Sequence, residues 1–279
     1  MKKITRRSFL AAAGLTAAAL ALTACGGSSS STASSTASSA AASSEAASSS
    51  AAAELTTVEA GKLTMATNAT FPPYEMTTDT GAFEGIDVDT AQAIAEKLGL
   101  ELQIDDMEFD AALLSVQQGK ADIVMAGVTV TDERKNVMDF SDSYATGIQS
   151  IIVPEGSDIA SPDDLAGKMI GTQRGTTGYI YCSDDFGEDS VVAYDSGLTA
   201  VQALNNGQVD AVVIDNAPAT EYVAANPGLK VLDTSYAEED YAIGMAKGSA
   251  LEDAVNKALE ELKADGTLQA IVDKYIKAE

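Results

Sequence analysis

Two stretches of the chain repeat the same pattern of apolar and polar positions. Residues 113–127 read LLSVQQGKADIVMAG and residues 201–215 read VQALNNGQVDAVVID, so that Gly119 pairs with Gly207. In each stretch the apolar residues first recur at helical spacing, stop at a glycine suited to the left-handed turn after a helix, and then form an unbroken run of strand length. We therefore predict a helix, a turn and a buried parallel strand in each stretch.

The carboxyl ends of the two predicted strands are candidates for a ligand-binding cleft. Ligands of open α/β sheets bind just beyond these ends, and Gly127 ends the first copy of the repeat while Asp215 ends the second. Two copies indicate two lobes that share one cleft. The order helix, glycine, strand also occurs in other α/β proteins, and the repeat alone leaves that alternative open.

The pattern outside the repeat predicts two series of strands and helices. Residues 87–98 place their apolar side chains on one helical stripe. Thr131 and Ser161 are suited to cap helices, and Ser249 with Glu252 forms a capping box. Strands are predicted at residues 62–66, 100–104, 149–153, 168–172, 191–194, 229–232 and 241–245, and a last helix from residue 267. This order favours an α/β protein whose chain crosses between two lobes twice.

The first 24 residues have the features of an export signal. Basic residues precede an apolar run at residues 9–24, which is shorter than the roughly 20 residues that span a bilayer. The run ends in Leu-Thr-Ala-Cys, which resembles the lipobox of bacterial lipoproteins, so we expect Cys25 to carry the lipid. An anchor helix that merely ends in cysteine is the alternative. Arg6 and Arg7 fit either a twin-arginine or an ordinary Sec signal, and the export route stays open.

Residues 25–56 are predicted to be a lipid-bearing cysteine followed by a tether. Serine, alanine and threonine dominate from residue 26 to residue 53 and give no apolar periodicity for a core. A random coil of this length reaches roughly 30 Å. We therefore expect an extracytoplasmic domain, lipid-anchored to the outer face of the bacterial cytoplasmic membrane.

Composition narrows the chemistry that the chain can perform. It has 42 acidic and 17 basic residues, for a net charge of −25, which disfavours nucleic acid as a partner. The sequence has no histidine, which excludes Ser-His triads and histidine metal sites. Cys182 is the only thiol besides Cys25, so we expect no internal disulfide and expect Cys182 to be a small buried residue. We also expect the protein to bind no cofactor.

Five stretches carry a resemblance to a known family. They are TNATFPPYE (67–75), FEGIDVDTAQAIAEKLG (83–99), GVTVTDERKNVMDFSDSY (127–144), GTQRGTTG (171–178) and ADGTLQAIVDKY (264–275). With them the chain resembles the family 3 extracellular solute-binding proteins of polar amino-acid ABC transporters, over residues 62–277.

This resemblance implies a fold and a set of partners. The fold would be a two-lobed periplasmic-binding-protein-like α/β fold of type II, with two crossover strands and hinge closure. One lobe would comprise residues 57–148 and 240–279, and the other residues 149–239. The protein would be a monomer without enzymatic activity that binds a free amino acid and serves the permease subunits of an ABC transporter.

Carried over position by position, the resemblance assigns the charged ends of the ligand to a few side chains. Arg134 would hold the α-carboxylate bidentately, assisted by Thr177 and by amides at a helix start. The α-ammonium would meet three acceptors, one for each proton: the carboxylate of Asp215, the hydroxyl of Thr129 and the carbonyl of Gly127.

The resemblance also implies a pocket for the side chain of the ligand. Phe71 and Phe109 would line it, with Asn68 at its polar end. Family members that bind cations often carry aspartate and tyrosine where this chain has Asn68 and Phe71, so we expect a polar, uncharged side chain, with glutamine or cystine as candidates. Against this, a phenylalanine ring could hold a cation, and the carboxylate of Glu75 or Asp185 could turn inward.

Each assignment has an alternative. Arg134 could be a solvated helix residue, Asp215 a cap for the next helix, and Thr129 part of a turn. Arg174 is expected to be a solvated loop charge, and Glu75 to be structural. A dehydratase-like enzyme on the same fold would need a general acid in the cleft. An amino-acid sensor domain would keep the binding site and serve a signalling partner instead.

Overall fold

A computed structural model describes residues 55–276 of the protein. The predicted export signal, the predicted lipidation site Cys25 and the predicted tether up to residue 54 lie outside this range. Among the described residues, no helix combines the length and the apolar character needed to cross a membrane. Leu55 already packs against the core of the domain that follows it.

Strands and helices alternate along the described part of the chain, as expected for an α/β protein. The strands are β1 (Lys62–Thr67), β2 (Thr70–Phe71), β3 (Glu75–Thr77), β4 (Phe83–Glu84), β5 (Glu101–Asp106), β6 (Ile123–Val124), β7 (Met138–Phe140), β8 (Ala145–Pro154), β9 (Ile170–Gln173), β10 (Val191–Tyr194), β11 (Ala211–Asp215), β12 (Leu229–Val231), β13 (Ala237–Tyr241) and β14 (Gly244–Ala246). The helices are α1 (Ile86–Leu98), α2 (Phe109–Gln117), α3 (Asp132–Lys135), α4 (Thr177–Phe186), α5 (Gly197–Asn205), α6 (Asn216–Ala225), α7 (Glu252–Ala264) and α8 (Thr267–Tyr275).

The first lobe is built on a five-stranded sheet in the order β5-β1-β6-β14-β7. β1 runs parallel to β5 and β6, and β14 runs antiparallel to β6 and β7. Helices α1, α7 and α8 pack on one another, and α2 packs on β1 and β14. The predicted apolar stripe of α1 is buried at Val88, Ala91, Ile94 and Ala95, so it is this stripe that fixes the helix on the lobe.

The second lobe is built on a six-stranded sheet. Five strands follow the order β10-β9-β11-β8-β12, and β13 pairs with β8. β9 is parallel to β10 and β11, whereas β8 is antiparallel to β11, β12 and β13. Helices α4 and α5 pack against β9 and β11, and α6 packs against β8. Cys182 on α4 is fully buried, as predicted.

The repeated pattern forms the predicted helix, turn and strand in both lobes. α2 leads through Gly119 to β6, and α5 leads through Gly207 to β11. The two glycines have φ values of 65° and 68°, the left-handed conformation that a side chain disfavours. β6 is parallel to β1, and β11 is parallel to β9. The helix, turn and strand predicted for each copy of the repeat are therefore confirmed. The prediction rested on local periodicity, which the folded structure retains.

Two local predictions are wrong. The single strand at residues 241–245 is in fact the end of β13 in the second sheet and the start of β14 in the first. The apolar run is buried from Tyr241 to Met245, so it shows no polar break where the chain passes between lobes. The Ser249 hydroxyl accepts from the amide of Leu251 at 3.2 Å, and it does not cap α7, which begins at Glu252 without a side-chain cap.

The crossovers between the lobes are β8 and β13, which pair antiparallel. The predicted lobe borders, at residues 148/149 and 239/240, fall within these two strands. A small third sheet in the order β2-β3-β4 lies between the first lobe and α5. Its pairing sets Phe71 opposite Glu75, and both side chains face the same cavity.

Candidate functional site

One cavity between the two lobes brings together all eight residues that the sequence predicts to bind a ligand. They are Asn68, Phe71, Phe109, Gly127, Thr129, Arg134, Thr177 and Asp215. Four further residues line the same cavity, namely Glu75, Ala126, Gln173 and Thr176.

Parallel strands of both sheets end at this cavity. Asn68 follows the end of β1, Gly127 follows β6, Gln173 ends β9 and Asp215 ends β11. The carboxyl ends of parallel strands carry backbone and side-chain groups that no further strand uses, which is why such edges bind ligands. The two sheets therefore present their carboxyl ends to one shared space, as the repeat indicated.

Arg134 is buried and held in place by both lobes. Thr131 caps α3 by accepting from the Arg134 amide at 3.2 Å, and the guanidinium donates to the carbonyl of Thr129 at 2.7 Å and to that of Gly175 at 3.1 Å. The residue is 8% exposed, so the alternative of a solvated helix residue is wrong. A guanidinium has five donors, and these bonds leave others for a planar anion.

Burial and neighbouring charge act in opposite directions on the pKa of this guanidinium. Burial lowers the pKa of Arg134, and the carboxylate of Glu239 opposes that change. The guanidinium carbon also lies 5.5 Å from the centre of the Phe109 ring, within the range of a cation–π interaction. Because an arginine starts from a pKa above 12, its side chain stays charged.

Asp215 places a carboxyl group in the same cavity. It occupies the N-cap position of α6 without a side-chain cap hydrogen bond, so the capping alternative is wrong. Its Oδ2 accepts from Gln149 Nε2 at 2.8 Å, while its Oδ1 is buried without a hydrogen-bond partner among the described residues. Burial raises the pKa of Asp215 to about 7, and the carboxylate of Glu239 adds to the rise.

Glu239 on the crossover strand β13 joins the two predicted threonines, and the sequence analysis missed it. Its Oε2 accepts at 3.0 Å from Thr129 of the first lobe, Thr177 of the second lobe and Gln149 of β8. The Thr129 hydroxyl is therefore more than part of a turn, and it keeps its lone pairs for a donor. A sequence signal existed: β13 alternates buried and exposed positions back from Tyr241, which places Glu239 on the buried face.

Asn68 likewise forms hydrogen bonds with residues of both lobes. Its amide donates to the Met107 carbonyl at 2.9 Å, and its Oδ1 accepts from Gln173 Nε2 at 2.9 Å and from Thr70 at 3.1 Å. Gln173 was not predicted as a site residue. Phe71 stacks on Tyr74 with ring centres 6.0 Å apart, so the apolar wall is held by a second aromatic ring.

Gly127 is constrained by its surroundings. Its φ of +55° lies in the left-handed region, and a Cβ at this position would lie 2.9 Å from Cε1 of Phe71. Its amide donates to Asp87 Oδ2 at 3.0 Å, and the same oxygen accepts from the Tyr144 hydroxyl at 2.8 Å. Asp87 on α1 therefore positions the backbone that the sequence analysis assigned to the ligand. Arg174, by contrast, is exposed and pairs with Asp195 at 3.5 Å.

Glu75 and Asp87 form a buried pair of carboxyl groups beside the cavity. Both residues are fully buried. Burial raises the pKa of Glu75 well above its usual range, and Asp87, close enough to share a proton, raises it further. Burial also raises the pKa of Asp87 to about 6, although its bonds from Gly127 and Tyr144 oppose the rise.

Comparison with known proteins links this arrangement to a family. The family model for bacterial extracellular solute-binding proteins, family 3, matches residues 63–278. The L-cystine-binding protein TcyJ of Escherichia coli (strain K12) is 34% identical over 226 residues, which cover 79% of this chain and 85% of TcyJ.

Two solved structures share both the sequence and the fold. An ancestral arginine-binding protein bound to glutamine is 42% identical with a TM-score of 0.75, over 78% of this chain and 99% of that protein. An ancestral arginine-binding protein bound to arginine is 43% identical with a TM-score of 0.74, over 77% and 98%. The matched proteins are two-lobed solute-binding proteins, so the predicted fold class is confirmed.

Proposed function

The chain belongs to the bacterial extracellular solute-binding proteins of family 3, and we propose that it captures a free L-amino acid between its lobes and delivers it to an ABC importer. The observation that supports this most directly is a pair of opposite charges, Arg134 and Asp215, both buried and both lining one cavity. A buried guanidinium suits an α-carboxylate, and a buried carboxylate with an unpartnered oxygen suits an α-ammonium. A free amino acid is the small ligand that carries both groups on one carbon.

The remaining predicted residues complete this role. The Thr129 hydroxyl donates to Glu239, which leaves its oxygen to accept from the ammonium, together with the Gly127 carbonyl. Thr177 begins α4, where free backbone amides and the helix dipole favour the carboxylate. The Thr177 hydroxyl proton is directed to Glu239, so we assign the carboxylate to the amides of this helix rather than to that hydroxyl.

We propose further that the side chain of the ligand is polar and uncharged, with glutamine and cystine as the first candidates. Phe71, Phe109 and Asn68 line the pocket, and none of them carries a charge. One relative is named for cystine and one related structure holds glutamine. Another related structure holds arginine, so the scaffold accommodates more than one side chain and selection must come from particular residues.

The proposed location of the protein in the cell rests on the predicted export signal at residues 1–24. We propose a monomer that is lipid-anchored through Cys25 to the outer face of the cytoplasmic membrane and presents its ligand to permease subunits. Residues 57–148 with 240–279 would form one rigid lobe and residues 149–239 the other, closing on the ligand by bending at β8 and β13. The tether allows the domain to reach the importer while it stays attached.

A thermal-shift screen of the twenty common amino acids and cystine tests the proposal. A ligand at a hundred times its dissociation constant stabilises a protein by about 2.7 kcal/mol. We expect at least one L-amino acid to raise the Tm, and its methyl ester and N-acetyl forms to have no effect because each masks one charged end. Stabilisation by a sugar or a peptide, with none by a free amino acid, contradicts the proposal.

A further inference from the structure

The hydrogen bonds between the two lobes differ in whether they involve the ligand cavity. Outside the crossover strands β8 and β13, the described side chains that donate directly from one lobe to the other are Arg134, Gln173 and Tyr222. Arg134 and Gln173 line the cavity, so their bonds are part of the candidate site. The Tyr222 hydroxyl donates to the carbonyl of Thr70, and neither of these residues lines the cavity. This bond joins the lobes without being part of the candidate site.

Tyr222 is fixed within the second lobe. It lies on α6, which packs against β8, β11 and β12 of the second sheet, and it is 5% exposed. Its ring lies against the start of α5, where a Cβ on Gly197 would come within 3.2 Å of Tyr222 Cε2, so the glycine leaves room for the ring. Burial raises the pKa of Tyr222, so the hydroxyl keeps its proton and can donate it. α6 begins directly after Asp215, so the helix that carries Tyr222 also starts at the cavity.

Thr70 is fixed within the first lobe. It lies on β2 of the small sheet, between Asn68 and Phe71, which both line the cavity. The amides of Ile86 and Asp87, at the start of α1, donate to carbonyls in the turn between β2 and β3 at 3.0 and 2.8 Å. The small sheet is therefore attached to the first lobe, and the two lobes cannot separate here unless the bond between Thr70 and α6 breaks.

We propose that Tyr222 is a positioning residue that keeps the lobes closed over a bound amino acid through its bond to Thr70. It lengthens the lifetime of the complex by one common factor for ligands with different side chains. This inference rests on the proposed capture of an amino acid and identifies a residue that controls how fast the amino acid is released. Residues that line the pocket act differently, because their contacts depend on which side chain is bound.

The size and the kinetic signature of the effect follow from the chemistry of one hydrogen bond. A neutral hydrogen bond changes an equilibrium by a factor of about two to ten. An amino acid enters while the lobes are apart and leaves only after they separate, so the bond acts on dissociation rather than on association. Because neither Tyr222 nor Thr70 lines the cavity, the ratio of the affinities for two ligands does not depend on this bond.

The test compares the release of glutamine and of cystine by the whole protein and by its Tyr222→Phe variant, which keeps the ring and removes only the donor. Each radiolabelled probe is bound, a large excess of unlabelled probe is added, and the label that stays bound is followed with time. The variant should release both probes about two to ten times faster, by the same factor. Its association rates and the ratio of its two affinities should equal those of the wild type, a pattern that a merely weakened fold does not produce.

Tyr236→Phe is the matched control, because it also removes one phenol hydroxyl, but the bond of that hydroxyl to Asp185, at 2.6 Å, lies within the second lobe. It should release both probes at the wild-type rates. Wild-type release rates in Tyr222→Phe overturn the proposal, and so do different factors for the two probes, equal acceleration in Tyr236→Phe, or binding of neither probe. Failure of the proposed function is distinct, since then no free amino acid raises the Tm in the thermal-shift screen.

Discussion

The Asp215→Asn substitution should remove two pH dependences that a single buried carboxyl group imposes on the protein. Burial raises the pKa of Asp215 from 3.8 to about 7, and each pKa unit corresponds to about 1.4 kcal/mol. The folded protein without ligand therefore binds this proton more tightly than the unfolded chain does. Its stabilising contribution is fully present below pH 3.8 and is lost as the pH rises through about 7.

The size of the effect follows from the two pKa values. The full change is about 4 kcal/mol, of which roughly 2.5 kcal/mol falls between about pH 5 and about pH 8. Asparagine removes the titration and keeps an oxygen that accepts from Gln149, as Asp215 Oδ2 does at 2.8 Å. The variant should be more stable than the wild type at pH 8, and this difference should shrink toward pH 5.

Ligand affinity should change with pH in the opposite direction, because an α-ammonium binds the ionised carboxylate. Wild-type affinity should fall by up to about tenfold per pH unit below about pH 7. Asp215→Asn should lose at least a hundredfold at pH 8, since about 3 to 5 kcal/mol is lost when a buried charge has no partner.

Urea unfolding without ligand and calorimetric titration, each at pH 5 and pH 8, measure the two effects. The difference between variant and wild type isolates Asp215, because Asp87 and Glu75 titrate in both proteins. If the variant shows the same change in unfolding free energy between the two pH values as the wild type, Asp215 is not the titrating group. Equal affinities at pH 8 refute its contact with the ammonium.

Arg134→Ala should weaken amino-acid binding at least a hundredfold, by about 3 to 5 kcal/mol, because it leaves the ligand carboxylate buried without a cation; unchanged calorimetric affinity in a folded variant contradicts the proposed contact between Arg134 and the ligand carboxylate. Gly127→Ala should destabilise the fold by at least about 1 to 2 kcal/mol in urea and abolish binding, because a side chain disfavours its φ of +55° and would meet Phe71 at 2.9 Å. Gly81→Ala, with a φ of +82° and nothing within 4 Å, is the control, and equal losses in both variants exclude the collision. Cys25→Ala should release the protein from membranes without changing its Tm; a variant that stays membrane-bound through washing excludes the lipid anchor.

Much of the fold follows from local patterns in the sequence. The repeat predicted α2 with β6 and α5 with β11, because helical spacing, a left-handed glycine and an apolar run are all local features. Thr131 was predicted as a cap, and its hydroxyl accepts from the amide three residues later. The prediction of a single strand at residues 241–245 is wrong because the chain is buried in both sheets there. Burial alone does not indicate which sheet a residue joins.

The residues of the candidate site also fall into two groups, those that the sequence predicted and those that it could not assign. The resemblance and the strand ends predicted Arg134 and Asp215, and the structure brings them to one cavity. Strand alternation places Glu239 on a buried face, but its contacts could not be assigned, because it meets Thr129 across 110 residues of chain. Gln173 likewise meets Asn68 across 105 residues, and sequence separation carries no signal for such contacts.

The chain by itself determined most of its elements, its two lobes and the residue types of the proposed binding site, since these depend on local periodicity and on motifs. Only the tertiary structure decided the electrostatics. Asp215, Asp87 and Glu75 have ordinary acidic side chains, and their raised pKa values come from burial among other acids that distant segments supply. Solvation of a charge depends on everything packed around it, and that surrounding exists only once the lobes have folded together.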